Sequence, residues 1–274
     1  MTNSIRKYYS VLKMSWIQTL EYRANALVGA FAIFSGLLIE YLLLSNVFKN
    51  EIATGSPIQN FASFNHLIIY IMLCMMVGQL KSSWHNSMMM IDEIRSGELN
   101  KYLIKPISYF PYNFMNFIGH NSLFYLVYFT IMILTPIVMG PGYAFGGFLQ
   151  VIGFLIALLI SVFLSYSIYF CMVCFGFWFG EVRALIIAYN MFTIFLSGQL
   201  IPIQLFPEGL KQFVMNSPFR FMVDFPVSIA TAQSVDINQL IQGLALQIGW
   251  CVVMYLIGKI IYTIGVRQYE AFGA

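Results

Sequence analysis

The chain has 274 residues, of which 59% are apolar and 9% are charged, and its formal net charge at pH 7 is +3. Soluble domains carry about 45–50% apolar and about 25% charged residues, so the composition excludes a water-soluble globular protein. The apolar content also excludes an intrinsically disordered chain, and the small net charge does not favour nucleic-acid binding. Since one membrane span needs about 20 apolar residues, we predict an all-α, polytopic membrane protein with a single transmembrane domain over 1–274.

The N-terminal residues 1–23 carry apolar side chains at helical spacing, such as Leu12 and Trp16, with basic residues such as Lys13 between them. The early apolar core of a signal peptide is not found in this segment. The pattern predicts an amphipathic helix that lies in the membrane interface. The alternative is that these residues form the hydrated first turns of the first span, and one bent segment would satisfy both descriptions.

Apolar segments that could span a membrane follow in chain order, separated by polar or by glycine- and proline-rich connections. We predict six of them, at about 24–48, 64–84, 116–139, 148–179, 184–198 and 240–266. At about 1.5 Å per residue, the fourth is longer than the bilayer core of about 30 Å and must tilt, bend or protrude. The fifth is short because glycine and proline residues interrupt it.

The segment 199–238, between the fifth and sixth spans, is apolar and yet rich in proline. Irregular backbone at membrane depth must be buried in protein or line a cavity. The composition therefore predicts a partly re-entrant element on one face of the membrane. We expect its shape to depend on Gly198, Pro202, Pro207 and Pro218.

The basic residues are divided unequally between the two sides that six spans define. The side that holds both termini carries Arg6, Lys7, Lys13, Arg23, Lys81, Arg95, Lys101, Lys105, Arg183 and Arg267. The opposite side carries Lys49, Lys211 and Arg220. By the positive-inside rule, both termini are predicted to lie in the cytoplasm.

Sequence motifs of enzymes and of metal sites are not found in the chain. It has no G-x-x-x-x-G-K-[ST] loop, no H-E-x-x-H and no G-x-S-x-G, so we do not expect it to hydrolyse ATP itself. We predict no catalytic residue, no metal site and no cofactor in this chain. Cysteines lie in apolar runs and are expected to be reduced and buried; they are Cys74, Cys171, Cys174 and Cys251.

Glu40 is an acidic residue well inside a predicted span. An ionisable group at such a position is costly and indicates a substrate pathway, for which a cation would be the natural substrate. The alternative is a position near the outer interface, where the carboxylate reaches water. Met72 and Met76 are candidates for an adaptable apolar lining of the same pathway, with plain core packing as the other interpretation.

The most charged stretch of the chain, 91–105, connects the second and third spans. Residues 92–96 are predicted to form a short helix that Gly97 ends, after which Leu99, Tyr102 and Leu103 fall on one face. An apolar face with charged residues around it suits docking onto a soluble partner. A loop that lies on the lipid headgroups is the alternative.

Two motifs resemble those of ABC-2 type exporter permeases. The first is Ile-Arg-Ser-Gly-Glu-Leu at 94–99, followed by Leu-Ile-Lys-Pro at 103–106, which is similar to the loop between the family's second and third helices. The second is Leu-Ser-Gly-Gln-Leu-Ile-Pro at 196–202, with Phe-Pro at 206–207 and Ser-Pro-Phe at 217–219, which is similar to its fifth helix and external hairpin. With the six spans, the resemblance covers essentially the whole chain.

The resemblance implies a permease of the bacterial inner membrane that pairs with a second permease, identical or homologous, and with two ATPase subunits that bind ATP and Mg. The charged loop would be the coupling helix, docked on the ATPase. The residues assigned to this contact are Asp92, Glu93, Arg95, Gly97, Glu98 and Leu99. Among them, Glu93, Arg95 and Glu98 are expected to make polar contacts and Leu99 to be the apolar anchor.

The expected cargo is a small amphipathic or cationic molecule, drug-like or peptide, that moves outward. The hairpin is not rich in charge and offers no obvious aromatic residues for a polysaccharide, which does not favour a glycan. The alternative function is an ion-coupled secondary transporter or channel without an ATPase partner, which would be expected to show internal repeats and several buried charges.

Overall fold

The computed structural model describes residues 2–21, 23–47, 49, 64–139, 147–232 and 236–269. Within these ranges the chain is helical and contains no β-strand. The α-helices in chain order are α1 (Thr2–Glu21), α2 (Arg23–Val47), α3 (Phe64–Leu80), α4 (Trp84–Arg95), α5 (Asn100–Leu103), α6 (Tyr109–Met139), α7 (Phe148–Cys174), α8 (Gly176–Phe179), α9 (Arg183–Leu196), α10 (Glu208–Asn216), α11 (Pro218–Met222), α12 (Asp224–Thr231) and α13 (Ile237–Arg267). A 3-10 turn, Ile203–Leu205, lies between α9 and α10.

Three helical stretches of the described chain are long and apolar enough to cross a membrane: His66–Arg95, Phe148–Phe179 and Ile237–Arg267. Their mean hydropathies are 1.4, 2.5 and 1.9. The expectation of an all-helical membrane protein is thereby confirmed. The other predicted spans fall on α2, α6 and α9 and stay predictions.

The helix boundaries differ from the predicted spans at two places. Helix α3 ends at Leu80, and a break at 81–83 separates it from α4, whereas the sequence predicts one helix through this region. Helix α6 begins at Tyr109, before the predicted start at 116. Pro111 lies in its first turn, where the missing N–H of proline removes no intrahelical hydrogen bond.

Helix α7 is the centre of the core, and α13 packs along its length. Its buried face includes Phe154, Leu164 and Tyr169. Glycine residues on α13 allow the two helices to approach closely, since a Cβ atom at Gly258 would lie 3.1 Å from Phe170 and from Cys171 Sγ. The four cysteines are free thiols and are buried, as expected.

Helix α1 packs along α6. The Ser15 hydroxyl donates a hydrogen bond of 2.6 Å to Asn116 Oδ1, and a Cβ atom at Gly119 would lie 2.9 Å from the Leu12 carbonyl oxygen. The opposite side of α1 exposes apolar residues, including Tyr9 and Met14. The predicted N-terminal helix therefore forms, with one polar-lined contact to α6 and one apolar exposed side.

Helices α11 and α12 form the buried part of the proline-rich segment, and every residue from 221 to 227 is buried. They pack against α7, and α12 also packs against α3. Pro218 lies in the first turn of α11, where its ring is tolerated. The part of the segment from 221 to 227 is thus enclosed by protein, whereas α10 carries exposed residues such as Phe213.

Candidate functional site: an ion-paired surface and a buried polar cluster

Four charged side chains connect the end of α4 to the start of α9. Arg183 forms ion pairs with Asp92 and, at 3.3 Å, with Glu181, while Arg95 pairs with the same Glu181. All four side chains are between 41% and 57% exposed. Because exposed ion pairs contribute only about 0–1 kcal/mol each, charges on another protein could replace them at little cost. We call these four residues, together with Glu93, helix α5 and Ile104, the coupling surface, after the coupling helix that the sequence predicts here.

The turn between α4 and α5 has the geometry that the sequence predicts. Gly97 has a φ of +82°, a conformation that glycine adopts without strain. The Leu99 amide then donates to the Glu93 carbonyl oxygen at 3.0 Å, which folds the chain back under the end of α4. As a result the Leu99 side chain is fully buried in the core.

Glu93 lies on the inner side of this turn, and its side chain is only 13% exposed. Its carboxylate accepts hydrogen bonds from the hydroxyls of Tyr102, at 2.7 Å, and Tyr109, at 2.9 Å, and pairs with Lys101 at 3.0 Å. Burial raises the pKa of Tyr102, and the hydrogen bond to Glu93 raises it further, so this hydroxyl remains a donor. Glu93 thus fixes α5 against α4 and α6.

Lys101 also pairs with Glu98 at 2.9 Å. Partial desolvation lowers the pKa of Lys101, but the hydrogen bonds to Glu98 and Glu93 outweigh it, and the net shift is upward. Lys101 therefore stays charged and holds both carboxylates. Of the two, only Glu98 faces outward, with 61% of its side chain exposed.

The burial of Leu99 and Glu93 corrects two details of the sequence prediction. Leu99 was expected to be the apolar anchor for a partner, but its side chain belongs to the core of this chain. Glu93 was expected to contact the partner, but it is engaged with tyrosine and lysine side chains of its own chain. The apolar residues that α5 and the next position expose are Leu103, at 45%, and Ile104, at 82%.

The residues predicted for a substrate pathway are not brought together in the described part of the structure. Met76 is buried in the core, with 1% exposure, and Met72 is partly buried against the same core. Both therefore have the packing role that was the other interpretation of these residues. The side chain of Glu40 lies outside the described part of the structure.

A second group of polar residues is buried where the proline-rich segment meets α3. Asp224 is 2% exposed and accepts hydrogen bonds from the Tyr70 hydroxyl, at 2.5 Å, and from Arg220 Nε, at 3.1 Å. Gly198, with a φ of +79°, lies against this pair, since a Cβ atom there would be 3.2 Å from the Tyr70 hydroxyl oxygen. We call Tyr70, Arg220 and Asp224 the buried polar cluster.

The sequence analysis did not single out this cluster. Arg220 was counted among the external charges, but its side chain is 24% exposed and is paired with a carboxylate four residues later. The (i, i+4) spacing of opposite charges in an apolar segment was an available signal. Tyr70 gave no such signal, because its partner lies on a distant part of the chain.

Buried side chains hold the backbone of the segment against α7 and α13. Ser161 donates to the Met222 carbonyl oxygen, and Gln247 Nε2 donates to the Phe221 carbonyl oxygen at 2.9 Å. At about 1.5 Å per residue, Ser161 lies about 20 Å along α7 from Phe148. The contact between α11 and α7 is therefore near the middle of a stretch that is long enough to span the bilayer.

The C-terminal end of α12 lies at the beginning of α7. Gln150 Nε2 lies within 2.7–3.1 Å of three carbonyl oxygens, those of Ile229, Ala230 and Ala232. Carbonyls at the end of a helix lack intrahelical partners and need such donors when they are buried. The segment is thus fixed both at the start of α7 and near its middle.

The fold and these two polar groups define a helical membrane protein with a structured segment between α9 and α13. A family model described as ABC-2 family transporter protein matches residues 34–273. The chain belongs to this family, and it is an ABC-type permease and a multi-pass membrane protein. Membrane subunits of the family are generally not enzymes themselves and generally work with ABC ATPase subunits. No curated protein matches the chain.

Proposed function

We propose that the chain is the transmembrane permease subunit of an ATP-driven ABC-2 exporter that moves a small amphipathic or cationic molecule outward. The observation that carries this proposal is the coupling surface. It combines the exposed apolar residues Leu103 and Ile104 with ion pairs that connect the end of α4 to the start of α9. A surface of this kind suits reversible docking of a soluble subunit.

In this proposal six helical stretches span the membrane: α2, α3, α6, α7 with α8, α9, and α13. Helix α1 lies in the cytoplasmic interface, where its exposed apolar side would contact lipid. Both termini and the coupling surface are cytoplasmic, in a bacterial inner membrane. The distribution of basic residues supports this orientation.

The proline-rich segment is proposed to be a re-entrant hairpin that enters from the external side. Its enclosure by protein and its contact near the middle of α7 support this assignment. Arg220 is partly exposed at this depth, and a charge that faced lipid there would be costly. We therefore assign this side of the hairpin to the pathway and to a second permease, identical or homologous.

The ATPase subunits are proposed to bind ATP and Mg, since the chain has no phosphate-binding loop of its own. ATP binding would draw two ATPases together and move the α5 of each permease. A docked subunit can shift the permease only if its contacts differ between the two states. The exposed ion pairs of Arg95 and Arg183 are suited to this, because they can exchange partners without a large loss of stability.

The decisive experiment is purification of the tagged chain from native membranes in mild detergent, with mass spectrometry and an ATP hydrolysis assay. We expect an ABC ATPase in stoichiometric amount with the wild type. Ile104→Glu should lower its amount about tenfold or more, because the substitution puts a charge into an apolar contact worth more than about 1.4 kcal/mol. Phe213→Glu is the matched control, since Phe213 is also exposed, at 62%, but lies on α10.

Two outcomes would contradict the proposal. One is an ATPase that is retained equally by Ile104→Glu and by the control, which would remove the coupling surface from the contact. The other is a chain that purifies alone under conditions that preserve a known transporter complex. In that case transport driven by an ion gradient would be the function to test.

A further inference from the structure

A cavity of about 580 Å³ lies between α1, α6 and the break that separates α3 from α4. This volume is within the range of about 300–1,000 Å³ that is typical of sites for small molecules. Polar side chains line one part of it, while Phe117 and Phe124 contribute an apolar part. These two residues lie two turns apart on the same face of α6. The cavity therefore offers both a polar end and an apolar wall.

The charge of the lining is negative. Glu21, at the end of α1, is the acidic member, and the described lining residues include no lysine or arginine. Glu21 also forms no ion pair with any other described residue. Glu21 is an exposed residue at the rim of the cavity. Protein on one side of it lowers the local dielectric constant, so it attracts a cation more strongly than a carboxylate in open water does.

Two histidine rings complete the polar part. His85, on α4, and His120, on α6, stack with their centroids 5.7 Å apart and an angle of 20° between the ring planes. The Nδ1 atom of His120 is buried and has no hydrogen-bond partner in the described structure. Buried polar atoms are almost always paired, so an unpaired one at a cavity indicates a group that a ligand would satisfy. A polar substituent of the ligand would pair with this atom.

We propose that this cavity binds an amphipathic organic cation, with the positive centre near Glu21 and the apolar body against Phe117 and Phe124. Aromatic rings favour this charge as well, since a cation over a ring face gains about 0.5–2 kcal/mol. Its role as the entry site for export depends on the function proposed above, whereas the binding of the cation does not.

The position of the cavity explains how its occupancy would reach the coupling surface. Helix α4 lines the cavity at His85 and carries Asp92 and Arg95 at its other end. At about 1.5 Å per residue, about 15 Å of continuous helix separates His85 from Arg95. A ligand that shifts the start of α4 would therefore shift the ion pairs at its end.

The test uses the full chain in nanodiscs of phosphatidylglycerol, without an ATPase, and two radiolabelled probes of the same shape and opposite charge. We expect saturable binding of tetraphenylphosphonium and no saturable binding of tetraphenylborate. Glu21→Gln should weaken tetraphenylphosphonium binding at least about tenfold, a loss of about 1.4 kcal/mol, while Glu21→Asp should retain most of it. Glu208→Gln is the matched control, because Glu208 is 78% exposed on α10.

Equal binding of the two probes, or unchanged affinity in Glu21→Gln, would overturn the proposal. A gel-filtration profile like that of the wild type is required for each variant, and Phe124→Ala gives an independent measure, with an expected loss of affinity for the cation alone. If Phe124→Ala leaves the affinity unchanged while the protein is folded, the apolar wall is not part of the site and the proposal fails.

The cationic group could belong to a free molecule or to a lipid headgroup. Nanodiscs that contain phosphatidylethanolamine distinguish these sources, because a bound ammonium headgroup would displace tetraphenylphosphonium, whereas a site for free cations would keep its affinity. Either result supports a site for a cationic amphiphile and assigns its source. Co-purification of the ATPase is measured separately, so that failure of the exporter proposal and failure of this site are told apart.

Discussion

The coupling surface and the buried polar cluster both contain ion pairs of arginine with a carboxylate, which are exposed in the first and largely buried in the second. Around Arg95 and Arg183, the paired side chains are 41–57% exposed, whereas Asp224 is 2% exposed. An exposed pair contributes about 0–1 kcal/mol, but removal of one partner from a buried pair costs about 3–5 kcal/mol. The first arrangement can change partners during a transport cycle, and the second holds one arrangement of the chain.

The difference indicates which parts of this molecule can move without a large loss of stability. The end of α4 can move relative to α9 because water replaces each ion pair that opens. The proline-rich segment cannot leave α3 in the same way, because the buried carboxylate of Asp224 would lose the hydrogen bond that it accepts from Tyr70 on α3. We therefore expect the hairpin to move together with α3 and α7, while the coupling surface rearranges.

The largest expected effect is that of Asp224→Ala, which removes the carboxylate of the buried polar cluster. The substitution leaves Arg220 without its carboxylate and the Tyr70 hydroxyl without its acceptor. We expect a loss of about 3–5 kcal/mol in the free energy of unfolding, measured as a lower Tm in detergent. Tyr70→Phe removes the hydrogen bond to Asp224 but keeps the ion pair of Asp224 with Arg220, and it should lose about 1–3 kcal/mol. A Tm of Asp224→Ala within the error of the wild type would show that the cluster does not fix the segment.

Gly243→Ala tests the packing of the same segment without a change of charge. A Cβ atom at Gly243 would lie 2.2 Å from the Phe225 ring, so either the ring or the helix must move. Overpacking of this kind costs about 1–3 kcal/mol. Gly249→Ala is the control on the same helix, because no atom lies within 4 Å of its added Cβ and alanine favours a helix by about 1 kcal/mol. Equal Tm values for the two variants would contradict the close contact of α12 with α13.

Glu93→Gln is expected to have an intermediate effect, because Glu93 is the inward-facing acid of the coupling surface. It loses the ion pair with Lys101 and weakens the hydrogen bonds from Tyr102 and Tyr109. Hydrogen bonds to charged groups contribute about 1.5–3 kcal/mol, so we expect a loss of about 1–2 kcal/mol in stability. Glu98→Gln is the matched comparison, since its side chain is 61% exposed and it should change the Tm little. A smaller loss for Glu93→Gln than for Glu98→Gln would contradict the inward orientation of Glu93.

Sequence patterns predicted the features that depend on local composition. The long apolar runs predicted α7 and α13, and Gly97 predicted the end of α4. The orientation of Leu99 was not predictable from helical spacing, because the left-handed Gly97, two residues earlier, reverses the chain and turns the Leu99 side chain inward. The pairing of Tyr70 with Asp224 was not predictable either, since it depends on the contact of α3 with a segment far away in the chain.

The smallest expected change in stability is that of Arg95→Glu, which reverses one charge of the exposed coupling surface. The pair of Arg95 with Glu181 is 45% exposed on both sides, so its loss should change the free energy of unfolding by at most about 1 kcal/mol. If the ion pair transmits movement, export and ATP-coupled transport should nevertheless fall strongly. Arg95→Lys keeps a positive charge beside Glu181 and should retain most of the transport, whereas Lys211→Glu, on α10, should leave it unchanged. Transport that stays at the wild-type level in Arg95→Glu would show that the exposed pair is a surface contact without a role in coupling.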